Sequence, residues 1–199
     1  VSASFGGKDT QKPFFPQSVE CDHYFFTEVN SPVPLPNLPD RLKAKYFKLQ
    51  MHRVLPGYDC YVWIDANVEV ISPDFVKVMT EEIDFILNSD NVYLTTRYGA
   101  QPLRPEYEYY LKCGMSDDAP LYSCNIFAWR DEERGLVNGF EPAKMLMDDW
   151  WDLVLTWSWF DQSAFSFLAK EISCVNEISL GPMFNNPYFT LHSHTKPLG

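Results

Sequence analysis

No cluster of lysine and arginine occurs anywhere in this chain of 199 residues. Lys and Arg total 16 against 27 Asp and Glu, a formal charge of −11 with neutral histidines. Nucleic-acid binding rests on a basic face that neutralises phosphates, so that class of function is excluded. No apolar run approaches the roughly twenty residues that a membrane-crossing helix needs, so no membrane span is expected. Repeats and low-complexity tracts are missing too. With 46% hydrophobic and 22% charged residues, the composition is that of a folded chain, not a disordered or fibrous one. The five cysteines, Cys21, Cys60, Cys113, Cys124 and Cys174, never form a C-x-x-C pair, and their number is odd. Neither a zinc site nor a secreted disulfide framework is written that way. Reduced thiols in a cytoplasmic protein are the plainest reading. No signal peptide is visible, but the chain opens inside strand-like sequence, so a trimmed anchor and a Golgi-lumen location stay compatible with it.

What is present alternates between strand and helix. Val1-Ser2-Ala3-Ser4-Phe5 reads as a strand that breaks at Gly6-Gly7, where the backbone can take positive φ. Cys21 to Glu28 is a second strand, followed by the proline-studded loop Ser31 to Pro36. Asp40 is placed to cap a helix over Arg41 to Val54, which carries the densest basic stretch of an acidic chain. Cys60-Tyr61-Val62-Trp63-Ile64 is a continuous apolar run, typical of a parallel strand buried on both faces. Ser72-Pro73 opens a helix. Asn91 to Thr96 and Leu121 to Trp129 read as strands, Pro105 to Cys113, Pro142 to Trp157 and Asp161 to Lys170 as helices, and Tyr188 to His194 as a last short strand or loop. No linker divides the chain. The expectation is one α/β domain over residues 1–199, one that a longer enzyme can contain, with a mostly parallel central sheet flanked by helices. Ligands of such sheets sit at the carboxyl ends of the strands.

The end of the Tyr61–Ile64 strand is Asp65-Ala66-Asn67. In extended backbone, residues two apart point to one side, so the Asp65 carboxylate and the Asn67 amide oxygen can face one ion. Hard divalent cations such as Mn²⁺ or Mg²⁺ take such oxygens and share them with substrate phosphates. An anionic ligand in so acidic a chain needs that kind of help, or a few placed cations. Read without this context, Asp65-Ala66-Asn67 is an ordinary turn, Asp161 a helix cap, and Lys45, Lys48 and Arg41 are surface charges. Asn125 sits in the apolar strand Ser123-Cys124-Asn125-Ile126, as either a satisfied core amide or a donor-sugar contact.

The run from Lys45-Tyr46-Phe47-Lys48 through Leu55-Pro56-Gly57-Tyr58-Asp59 to Asp65-Ala66-Asn67 resembles the GT-A fold glycosyltransferases. In them an apolar strand ends in an Asp-x-Asp-type motif that holds Mn²⁺ against a sugar-nucleotide diphosphate; here Asn67 stands for the second Asp. Phe26-Thr27-Glu28 is similar to the Phe-Thr-Asp that meets the nucleoside. Phe160-Asp161-Gln162-Ser163-Ala164-Phe165 resembles the Asp-Gln element of the glycogenin-like retaining enzymes, and Leu191-His192-Ser193-His194-Thr195-Lys196-Pro197 resembles their ending, a metal-binding His followed by Lys-Pro. The resemblance implies a single GT-A, Rossmann-like domain that moves a sugar from a UDP-sugar donor to a carbohydrate or other hydroxyl acceptor, with retention. It implies that Ser2, Ala3, Phe5, Gly6 and Glu28 line the nucleoside side and that Lys45, Asp65, Ala66, Asn125 and Lys196 contact the donor. It implies Mn²⁺ or Mg²⁺ on Asp65, Asn67 and either His192 or His194, with His192 favoured because it follows an apolar residue. Asp161 and Gln162 fall beside the anomeric carbon. Trp150, Trp151, Trp157, Trp159 and Phe160 crowd the approach to Asp161, mostly as core, with one or two free to stack on an acceptor ring.

Other classes read less well. A haloacid-dehalogenase-like phosphohydrolase wants a second acid followed by Gly-Thr, where this chain has Asn67-Val68-Glu69. A nucleotidyltransferase wants a longer Gly-rich loop than Gly6-Gly7-Lys8. A sugar-nucleotide-binding protein without turnover is the second reading.

Overall fold

The computed structural model describes residues 1–34, 37–80, 85–93, 104–116, 119–131, 142–157, 160–169, 176–177 and 185–194. The strand over Cys60–Ile64, β3 here after β1 (Ser2–Ala3) and β2 (Phe25–Phe26), forms where the apolar run predicts it. Two helices precede it, α1 (Asp40–Leu49) and α2 (Met51–Val54). After it come β4 (Val68–Val70), α3 (Phe75–Thr80), β5 (Phe85–Tyr93), α4 (Arg104–Lys112) and β6 (Pro120–Arg130). The chain continues through α5 (Pro142–Thr156), α6 (Asp161–Ala169), β7 (Asn176–Glu177) and β8 (Phe189–Leu191).

The sheet corrects the expectation of parallel strands. Its order is β3-β6-β5-β7; β3 and β5 both run antiparallel to β6, and only β5 and β7 run parallel. β1 and β2 form a separate parallel pair. Val1 joins the two sheets, because its nitrogen donates to the Val62 carbonyl at 2.7 Å and its carbonyl accepts from the Ile64 N–H at 2.9 Å, the alternation of a parallel ladder. The arrangement is therefore mixed, not Rossmann-like. The apolar run of β3 reports burial on both faces, which helices and a second layer can supply whatever the strand direction. On one face Tyr61, Trp63, Phe127 and Trp129 pack with Phe47, Trp150 and Phe165 from α1, α5 and α6. On the other, Ile64, Ile126 and Ala128 pack with Phe75, Met79 and Phe189.

Two local features set up the site. α1 ends at Gln50, where the expected single helix is interrupted. The Gln50 amide turns inward and donates to the carbonyls of Leu49 at 3.1 Å and Met147 at 3.3 Å, tying α1 to α5. Asp40 lies inside α1 and makes no cap; Pro39 occupies that position, and the Asp40 carboxylate instead meets Lys43 at 2.8 Å. The second feature is the antiparallel pair β4–β8, with Val68 opposite Leu191. It carries the residues after Leu191 back alongside the end of β3.

Candidate functional site

At the carboxyl end of β3 a cleft of about 330 Å³ opens between the β1 loop, α1 and the Asp65–Asn67 turn. Residues 65–67 are not extended: the Val68 N–H returns to the Asp65 carbonyl at 2.9 Å, closing a turn. Asp65, Ala66 and Asn67 nonetheless all line the cleft, because the turn swings them to the same side. Asp65 is held by its own strand. Its N–H donates to the Asn125 carbonyl at 2.7 Å, and the Trp63 indole N–H donates to Asp65 Oδ1 at 2.7 Å, the two-residue spacing that puts both side chains on one face.

Beside Asp65 lies an ionic cluster that couples α1 to α6. Lys45 and Lys48, three apart, share a face of α1. Lys45 Nζ is 2.7 Å and Lys48 Nζ 2.6 Å from Asp161 Oδ2, and Lys48 Nζ is also 3.5 Å from Asp65 Oδ1. Lys48 is only 2% exposed, with its ammonium 5.7 Å from the centroids of Trp63 and Phe127. Burial alone would raise the Asp161 carboxyl. The two ammonium groups overcome that and hold its pKa down at about 2. Burial would likewise favour neutral Lys48, yet Asp161 and Asp65 hold its ammonium above the ordinary lysine range. Asp161 itself is placed by Trp150, whose indole N–H donates to its carbonyl at 2.8 Å. Asp161 is thus a charged anchor for two lysines.

The histidines divide. The Asn67 amide donates to the His192 carbonyl at 2.9 Å and the His192 N–H to the Asn67 carbonyl at 2.8 Å, a reciprocal pair that extends the β4–β8 ladder. The His192 ring turns to Glu69, 2.7 Å from Nε2 to Oε2, and does not line the cleft. His194 does line it, and its Nδ1 faces Asp9 Oδ2 at 2.9 Å. The carboxylate makes Nδ1 the protonated nitrogen and leaves Nε2 with the lone pair.

Among the described residues no three His, Cys, Asp or Glu side chains gather as a metal cage. The cleft does present a carboxylate, an amide and an imidazole on Asp65, Asn67 and His194. The amide nitrogen of Asn67 and Nδ1 of His194 are already committed to protein acceptors, which is how ligating groups are oriented elsewhere. That donor set fits a hard divalent ion that completes its coordination with ligand phosphates, not one enclosed by protein.

Of the sequence-predicted residues, Ala3, Phe5, Gly6, Lys45, Asp65, Ala66, Asn67 and His194 are brought together around one cleft. Others stand apart from it. Ser2 is buried, with its N–H on the Tyr24 carbonyl. The Glu28 carboxylate accepts from the Gly6 N–H, outside the cleft lining. The Asn125 amide oxygen accepts from Ser123 Oγ, so this residue reaches the site through its backbone alone. Gln162 donates to the Tyr122 carbonyl at 3.0 Å. Lys196 and Trp159 lie outside the described residues. Lys48 and Arg41, read as surface charges, line the cleft, as do Lys8 and Asp9. The i,i+3 spacing of Lys45 and Lys48 was the available signal for Lys48; nothing in the sequence pairs Asp9 with His194.

No family model matches the chain, and no curated protein does. Among solved structures, the crystal structure of mouse xyloside xylosyltransferase 1 in its apo form is similar, with 10% identity and a TM-score of 0.41. The match covers 68% of this chain and 50% of that one, so the chain spans half the length of its neighbour. At that identity and overlap the likeness assigns no residue and no activity.

Proposed function

We propose that this chain is a glycosyltransferase that moves a sugar from a nucleoside-diphosphate sugar, UDP-linked by the motif resemblance, to a hydroxyl acceptor. The observation that supports it most is the cleft at the end of β3, where Asp65, Asn67 and His194 meet Lys8, Arg41 and Lys45. The cations suit a diphosphate, which an acidic protein binds only through such local charge. Asp65, Asn67 and His194 would hold Mn²⁺ or Mg²⁺, which when bound supplies Lewis-acid stabilisation to the departing phosphate oxygen. Lys45, fixed by Asp161, adds a point charge whose position costs no reorganisation at the moment of reaction. In the transfer, the bond from the anomeric carbon to the diphosphate breaks and its electron pair leaves on the phosphate oxygen. The bond to the acceptor oxygen forms, and the acceptor proton passes to that departing phosphate. Retention is the proposed outcome, because each cleft carboxylate already faces a protein donor: Asp9 meets His194, Asp40 meets Lys43, and Asp65 meets Trp63. None is set as a dedicated base for the acceptor hydroxyl.

A binding protein without turnover is the second reading, favoured by the burial of Asp161 and by the engagement of Gln162 with Tyr122. UDP-sugars incubated with the protein and Mn²⁺ separate the two. Release of UDP, lost in Asp65→Ala, supports the transferase; UDP-sugar binding that depends on Asp65 without release supports the binder. Absence of nucleotide binding by the folded protein would sink both.

A further inference from the structure

Resting on that reading, the charge pattern of the cleft sets an order of binding that the ligand set alone does not. Four cations line the cleft, Lys8, Arg41, Lys45 and Lys48. The carboxylates that could offset them are already engaged. Asp161 is shared by Lys45 and Lys48, Asp40 lies 2.8 Å from Lys43, and Asp9 faces His194 at 2.9 Å. Asp65 remains, and it receives the Trp63 indole N–H at 2.7 Å with the Lys48 ammonium 3.5 Å away.

A divalent cation entering the empty cleft therefore meets one formal negative charge, because Asn67 and a neutral His194 contribute none. The complex keeps a net positive charge beside buried Lys48, and in a partly desolvated site that repulsion is not screened as in water. A diphosphate meets the opposite situation: its negative charge faces the same four cations with no metal required. Once bound, it supplies the charge that Asn67 does not, and the metal is then attracted from two sides. We propose that the cleft takes the nucleoside diphosphate first and the divalent cation second, so that cation affinity is created by the bound nucleotide. The Lys8 ammonium supports the same picture. Burial lowers its pKa, and Lys45 and Arg41 push it further down against the pull of Asp9 and Asp65, as expected for cations crowded without their anion. By linkage, the factor by which UDP raises Mn²⁺ affinity equals the factor by which Mn²⁺ raises UDP affinity.

The test uses UDP and Mn²⁺ as probes on the whole chain. Binding of Mn²⁺ is followed by loss of its free-ion electron paramagnetic resonance signal, with and without saturating UDP, and UDP binding is followed by calorimetry in chelator. The expected result is UDP binding in chelator, and Mn²⁺ affinity at least about ten-fold higher with UDP than without. Lys48→Met should narrow that gap by raising Mn²⁺ affinity in the nucleotide-free protein. Because Lys48 is buried and its replacement can unfold the chain, Lys8→Gln serves as a second variant and should weaken UDP binding in chelator several-fold. Equal Mn²⁺ affinity with and without UDP, or UDP binding that requires Mn²⁺, overturns the order while leaving the transferase reading intact. No UDP binding under any condition overturns the underlying reading itself.

Discussion

Replacing Asp161 by Asn keeps the side-chain shape and removes the charge that two lysines share. The cost can be worked from the geometry. Lys48 is 2% exposed and 2.6 Å from the Asp161 carboxylate. Removing one partner of a buried pair costs about 3–5 kcal/mol, because the other charge is left in a poor solvent. Lys48 keeps Asp65 at 3.5 Å and Lys45 is 20% exposed at its side chain, so the low end, about 3 kcal/mol, applies near neutral pH. The pH dependence is the sharper signature. The folded carboxyl titrates at about 2 against an ordinary 3.8, a depressed value whose stabilisation is fully present above 3.8 and lost as pH falls toward 2. That difference is worth about 2 kcal/mol in total, of which about 1 kcal/mol is gone by pH 3. Urea unfolding followed by tryptophan fluorescence, on wild type and Asp161→Asn between pH 6 and pH 3, isolates this one group from every other carboxylate. The stability gap should shrink by about 1 kcal/mol over that range. A gap that stays constant with pH, or one below about 1 kcal/mol at pH 6, would refute the claim that Asp161 is the counter-ion of Lys45 and Lys48.

Further outcomes follow from the same contacts. Gly6→Ala should lower stability by about 1–2 kcal/mol, read as a drop in Tm, because Gly6 sits at φ 70° and an added Cβ would lie 2.7 Å from Asp40 Oδ2; an unchanged Tm would show that the loop does not need the left-handed conformation. His194→Ala should abolish the Mn²⁺-dependent part of UDP binding while His192→Ala leaves most of it, since only the His194 ring lines the cleft; calorimetry giving the reverse would return the ligand role to His192. Trp63→Phe removes the N–H that orients Asp65 and should cost about 1.5 kcal/mol together with weaker Mn²⁺-dependent UDP binding; retention of both would make that hydrogen bond incidental.

How much of this was legible depended on whether the controlling contact was local. The end of β3 was readable because a five-residue apolar run and the turn after it are properties of adjacent residues. The strand direction was not, because continuous hydrophobicity reports two buried faces, and here helices cover one face while α3 and β8 cover the other. Lys48 shows the same limit at the scale of one side chain. Helical spacing places it with Lys45, but whether that shared face meets water or protein is decided by Asp161, more than a hundred residues later in the chain. The two histidines are the plainest case. Sequence order favoured His192 because it follows Leu191, yet the ladder that brings the tail to the site also spends His192: its backbone closes on Asn67 and its ring on Glu69. Two residues further on, His194 is beyond the ladder, reaches the cleft, and meets Asp9 from the opposite end of the chain. The Asp65, Asn67 and His194 arrangement is therefore a product of β4–β8 pairing, and a change that slips that register by one residue would exchange the roles of adjacent side chains in the tail without altering any residue of the cleft.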